Sequence, residues 1–125
     1  MTSPDEIAGT QPLAPGPSRP VAEPGDHLPA ASLNRLLHEP ARLVIATLLF
    51  AVESADFLFL LHESGLSKGN LSSHLARLEA AGYVAIEKTF RGKIPLTICR
   101  LTDSGRDALR RYREQLKRVV DTLPE

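Results

Sequence analysis

Between Leu66 and Thr102 the apolar residues change rhythm, from the spacing of a helix to that of strands. Leu71, Leu75, Leu78 and Gly82 recur at intervals of four, three and four, which puts them on one side of a helix. Asn70, Ser73, His74 and Arg77 share the adjacent outward side, which holds hydrogen-bonding groups and no apolar residue. Ser67 is the predicted N-cap of this helix, and Gly82 its end. From Tyr83 to Phe90 and from Leu96 to Leu101, β-branched and aromatic residues predict two strands. Arg91-Gly92-Lys93-Ile94-Pro95 lies between them and predicts a hairpin loop with a basic tip.

Upstream, Ser32 is a candidate cap for a short helix from about Leu33, with Leu33, Leu36 and Leu37 on one side. Pro40 interrupts that pattern, since proline suits the first turn of a helix, and a longer helix is expected from Pro40 to about Val52. Its residues Leu43, Val44, Ile45, Ala46, Leu48, Leu49, Phe50 and Val52 are apolar nearly all round. Such a helix is buried on more than one side, so a second chain is expected to cover what its own domain leaves open. Ser54 to Phe57 reads as a break or a short strand, and Leu58 to Ser64 as a compact helix ending at Gly65. Leu66 is expected to plug the core. Downstream, Thr102 caps a last helix with Asp103 at its positive end. Ala108, Leu109, Tyr112, Leu116, Val119, Val120 and Leu123 then recur at spacings of three and four. This stripe needs cover from a second subunit, from the helix at 43–52 of its own chain, or from both.

The first 32 residues carry no such pattern. They hold seven of the ten prolines, together with Gly9, Gly16 and Gly25. A disordered proline-rich tail over 1–32 is expected, followed by one folded domain over 33–123. A chain of 125 residues has room for one such domain.

Charge sharpens the picture. The whole chain is neutral. Residues 68–100 nevertheless carry Lys68, Arg77, Lys88, Arg91, Lys93 and Arg100 against only Glu79 and Glu87. That local excess is what contact with phosphates requires. The single cysteine, Cys99, excludes an intrachain disulfide, fits a reducing cytoplasm, and reads as a half-buried strand residue. The longest mostly apolar stretch, Leu43 to Val52 with Thr47 inside it, is too short for a membrane span. His27, His38, His62 and His74 show no ligand spacing with one another or with Cys99. No metal or other cofactor is expected, and no phosphate-binding glycine loop or nucleophile elbow points to an enzyme.

Taken together, four strings resemble the winged-helix transcriptional regulators of the MarR-like and ArsR-like group. They are Ala55-Asp56-Phe57, Gly65 to Leu75, Leu78 to Val84, and Arg100 to Gly105. The resemblance covers about residues 33–121. It implies a mainly α fold with a small β-hairpin (α+β), a winged helix-turn-helix with an extra long C-terminal dimerisation helix. It further implies a cytoplasmic homodimer on an inverted-repeat operator, with the helix Ser67–Gly82 in the major groove and the hairpin tip on the flanking minor groove or backbone. The group often has a polar cap on its first motif helix, where this sequence has Leu58.

On this reading Asn70, Ser72, Ser73, His74 and Arg77 are the expected base readers. Asparagine presents a bidentate edge to adenine and arginine to guanine. Ser67, Lys68, Gly69, Lys88, Arg91 and Lys93 are expected to hold the DNA backbone. Leu33, Leu36, Leu37, Leu109, Tyr112, Leu116, Val119 and Val120 are the expected dimer interface. The expected partners are double-stranded DNA and a second copy of the chain. A small-molecule effector is allowed for but unidentified, and repression is expected rather than activation. The competing reading is a winged-helix protein-interaction module without DNA binding, whose sign would be acids on the outward helix face.

Overall fold

Glu39 and Pro40 set the start of the first helix. The structure, a computed structural model, describes residues 30–125. The Glu39 side chain accepts a hydrogen bond from the Arg42 N–H at 2.8 Å, capping α1 (Pro40–Phe50) where proline's missing N–H does no harm. That bond holds the Glu39 carboxyl below its usual pKa range. The expected tail lies outside the described residues apart from Ala30–Ser32, which form one 3-10 turn.

The expected helix from Leu33 does not form. Residues 33–39 are turns and bends; Pro40 has no N–H to extend the single turn that the His38 N–H closes on the carbonyl of Asn34 at 2.8 Å. The Asn34 side chain accepts from the Leu37 N–H at 3.1 Å and donates to the Tyr83 hydroxyl at 3.0 Å, while its own N–H donates to Gln115 at 3.0 Å. The bond from Leu37 has the geometry of an N-cap on that one turn, and the other two partners are far along the chain.

Strand β1 (Ala55–Asp56) follows α1, then helices α2 (Phe57–Ser64) and α3 (Lys68–Ala80). The polar cap expected to be missing from α2 is present two residues earlier than Leu58. Asp56 accepts from the Phe59 N–H at 2.8 Å. Gly65, with φ of 70°, ends α2 in the left-handed region, and Ser67 caps α3 by accepting from the Asn70 N–H at 3.2 Å.

Strands β2 (Val84–Arg91) and β3 (Ile94–Leu101) pair antiparallel from Val84 opposite Leu101 to Arg91 opposite Ile94. The hairpin loop is therefore two residues, Gly92-Lys93, not five, and Ile94 and Pro95 belong to the strand. β1 adds to the other edge of β3, giving the order β1-β3-β2. Helix α4 (Asp103–Thr122) closes the domain and is about 30 Å long. Thr102 ties its start to the end of α3. Its hydroxyl accepts from the Gly105 N–H at 3.0 Å and donates to the Gly82 carbonyl at 2.6 Å. A Cβ at Gly105 would overlap the Tyr83 carbonyl, so this glycine is fixed by close approach.

The core is one cluster. Ile45 and Leu49 of α1, Leu60 of α2, Leu71, Leu75 and Leu78 of α3, Val84, Cys99 and Leu101 of the sheet, and Ala108 and Tyr112 of α4 are all buried. Each large aliphatic side chain contributes about 1.5–3 kcal/mol by leaving water. Two expected interface residues belong here instead. Leu37 and Tyr112 are 1% and 2% exposed within their own chain, and the Tyr112 hydroxyl shares a 2.7 Å hydrogen bond with His38. Burial raises the Tyr112 pKa. Cys99 is fully rather than half buried, and burial, with Glu79 and Asp56 nearby, pushes its thiol up to about 11. Arg106 secures the end of α1, donating to the carbonyls of Phe50 and Val52 at 3.1 and 3.0 Å with its guanidinium 5.1 Å from the Phe50 ring. Among the described residues no helix is long and apolar enough to cross a membrane.

Candidate nucleic-acid interface

Helix α3 presents what its buried stripe leaves out. With Leu71, Leu75 and Leu78 pointing inward, a period of 3.6 residues turns Gly69, Ser73, Ala76, Arg77 and Ala80 directly outward. All five are exposed, as are Ser67, Lys68, Asn70 and Ser72. The outward row holds no carboxylate. Its alanines and glycine keep the backbone within reach of a flat partner, and its polar groups stand at the edges.

The expected readers separate into three directions. Asn70, Ser73 and Arg77 lie along the exposed row. Ser72 turns toward the hairpin, where it lines an open groove of about 590 Å³ with Ala76, Glu79, Lys88 and Thr97. His74 turns the other way. It is half-buried, and its Nδ1 lies 3.1 Å from Arg42 on α1. Arg42 is in turn fixed by donating from Nε to the Leu36 carbonyl. Sequence reasoning missed Arg42, because nothing in the spacing of residues 42 and 74 announces that they meet. It also missed Ala76, which the helical period places on the hairpin side of the outward face, lining the groove beside Ser72.

The cations of α3 and the hairpin are not neutralised. Among the described residues no carboxylate pairs with Lys68, Arg77, Lys88, Arg91, Lys93 or Arg100. All six are exposed. Strand pairing orders those on the hairpin. Lys88 stands opposite Thr97 on the face that continues Val84 and Ile86 toward α3, Arg91 stands opposite Ile94 on the other face, and Lys93 sits in the turn. Helix and hairpin therefore hold exposed cations around one groove, of which Lys88 lines it. Glu79 lines it as well.

A second open surface lies across α1 and α4. Leu43, Thr47, Phe50, Leu109 and Leu116 line a mostly apolar groove of about 360 Å³. Val44, Val120 and Leu123 extend it at 43%, 52% and 59% exposed. Leu33, Leu36, Leu116 and Val119 are half-buried. Apart from Leu37 and Tyr112, the expected interface residues thus keep apolar surface uncovered.

Comparison with known proteins places this arrangement. A family model described as "Winged helix DNA-binding domain" matches residues 41–120. An uncharacterized protein of Methanocaldococcus jannaschii is 33% identical over 79 residues, covering 62% of this chain and 85% of its own length. The solved structure of a transcriptional regulator homologue from Pyrococcus horikoshii is 33% identical, with a TM-score of 0.68 over 73% of this chain and 90% of its own. A MarR family transcriptional regulator from Streptomyces coelicolor, solved in complex with DNA, is 23% identical. It shares the fold with a TM-score of 0.57, over 75% of this chain and 66% of its own.

Proposed function

Since the chain belongs to the winged helix DNA-binding domain family, we propose that it is a transcriptional repressor that binds duplex DNA as a homodimer on an inverted-repeat operator. The observation that carries this reading is the acid-free outward row of α3 beside the unpaired cations of the hairpin. α3 enters the major groove. Arg77 has the fork to bond guanine O6 and N7, and Asn70 the amide to bond adenine. Ser73 and Ala76 let the helix axis come close. Lys68 at the helix start, Arg91 and Lys93 on the hairpin, and Arg42 behind His74 hold phosphates, which sets register without reading sequence. The open N-terminal N–H groups of α3 add to phosphate attraction there.

The α1–α4 surface is the proposed dimer contact. It is apolar, it is open, and it lies away from the reading helix. A two-fold axis through it would present two α3 helices to half-sites about one helical turn apart. An operator overlapping a promoter would then be blocked to polymerase. The experiment is selection of duplexes from random-sequence DNA, followed by mobility shifts and light-scattering mass of the free protein. Enrichment of a palindromic site by a protein of twice the chain mass is expected. A monomer that enriches nothing would support the protein-interaction module instead.

A further inference from the structure

Phe90 and Ile94, at the end of the wing hairpin, are 65% and 67% exposed. Two large apolar side chains this open at one hairpin tip are available for contact with a partner. Their positions are fixed. Arg91 pairs with Ile94, Phe90 pairs with Pro95, and the connecting Gly92-Lys93 turn has Gly92 at φ of 64°. Strand alternation puts Phe90 on the same face as Lys88 and Thr97, which line the groove beside Ser72 and Ala76 of α3. Ile94 shares the opposite face with Arg91. Each face of the tip therefore carries one apolar side chain and one cation, with Lys93 at the apex. From Lys88 to Arg100 there is no acidic residue.

A partner that fits must have negative rims and a less polar floor, and must be narrow enough to take a hairpin edge-on. The minor groove of duplex DNA has those properties, at about 6 Å wide against a strand spacing of about 4.8 Å. With side chains on both faces the hairpin is wider than the groove, so entry must spread it. Apolar side chains inserted from the minor groove do this in other DNA-binding proteins. We propose that the wing tip is an apolar wedge, in which Phe90 and Ile94 enter the minor groove while Arg91 and Lys93 hold the phosphates on its walls. This rests on the DNA-binding reading above and adds a contact that phosphate attraction alone does not supply.

The two kinds of contact differ in their response to salt. Removing a phosphate contact releases fewer counterions and flattens the dependence of affinity on salt, whereas removing an apolar contact does not. With a duplex selected by the wild-type protein from random-sequence DNA, Phe90→Ala should weaken binding about tenfold at every salt concentration with the slope unchanged. Ile94→Ala should act in the same direction, and Lys93→Ala should lower the slope by about one. The chain contains no tryptophan, so Phe90→Trp supplies a single reporter whose emission should shift and whose quenching by acrylamide should fall on binding that duplex. Unchanged circular dichroism and melting of each variant confirm that the fold is intact. Wild-type affinity in both alanine variants, or a tryptophan as open to acrylamide in the complex as in the free protein, would overturn the wedge while leaving DNA binding standing. A change in oligomeric state with unchanged DNA affinity would overturn it in favour of a protein contact. If the wild-type protein enriches no duplex at all, the DNA reading fails, and the wedge with it.

Discussion

Helices α3 and α4 each bury one side against the same core, and they differ in what they do with the rest. On α3 the inward stripe is complete, with Leu71, Leu75 and Leu78 at 2% exposure or less. Its outer cations have no carboxylate partners among the described residues. On α4 the stripe is covered only as far as Ala108 and Tyr112, and it opens at Val120 and Leu123. Its outer charges pair with one another, Arg110 with Asp107, Arg113 with Glu114 and Lys117 with Asp121, at 2.9 to 3.3 Å. One helix has satisfied its apolar side and left its charge unspent. The other has satisfied much of its charge and left apolar surface uncovered. An anion is the natural partner of the first and another apolar surface that of the second.

This contrast can be broken in order of expected effect. Leu75→Ala should lower the unfolding free energy by about 2–5 kcal/mol, because the cavity left under α3 cannot collapse fully; a denaturant titration measures it. Arg77→Ala should leave stability alone and weaken binding to the selected duplex by about 1–3 kcal/mol, relaxing preference at one base pair. Competition assays with single-site operator variants would detect that change.

The seal beneath α3 makes a pH prediction. Burial raises the Cys99 pKa from 9.0 to about 11. The folded state therefore keeps this proton more tightly than the unfolded chain, so the contribution is complete below pH 9 and is lost as pH rises toward 11. Stability should fall over that window by on the order of 2 kcal/mol more in the wild type than in Cys99→Ala. Equal slopes would mean that the thiol is not sealed. On α4, Val120→Glu should raise the dimer dissociation constant by at least about tenfold without changing the monomer fold, as sedimentation would report. Asp107→Asn, which breaks an exposed pair on the same helix, should leave the melting midpoint within experimental scatter.

The periodic parts of this molecule were legible from sequence because their partners are near in the chain or fixed by period. The stripe of α3, the Ser67 and Thr102 caps, the Gly65 turn and the two strands all follow from local chemistry. What could not be read depends on residues that meet only after folding. Asn34 starts only a single turn where a longer helix is expected, and its bonds to Tyr83 and Gln115 join it to residues far along the chain. His74 reads as a surface residue until Arg42 is found 32 positions away. Leu37 and Tyr112 match an interface stripe as well as a core stripe, since the same period serves both. At the candidate site, the row from Asn70 to Arg77 was visible in outline. The exposure of Phe90 was not, because a strand pattern alone does not reveal where the sheet outruns the helix beneath it.

The central claim is that unpaired cations around α3 grip the backbone of duplex DNA while its outward row reads the bases. The direct measurement is the affinity of the wild-type protein for its selected duplex between about 50 and about 200 mM salt, set beside that for a scrambled duplex. The account predicts a steep loss of affinity with salt for both duplexes, and tighter binding of the selected one throughout. An affinity indifferent to salt, or equal for the two sequences, would contradict it.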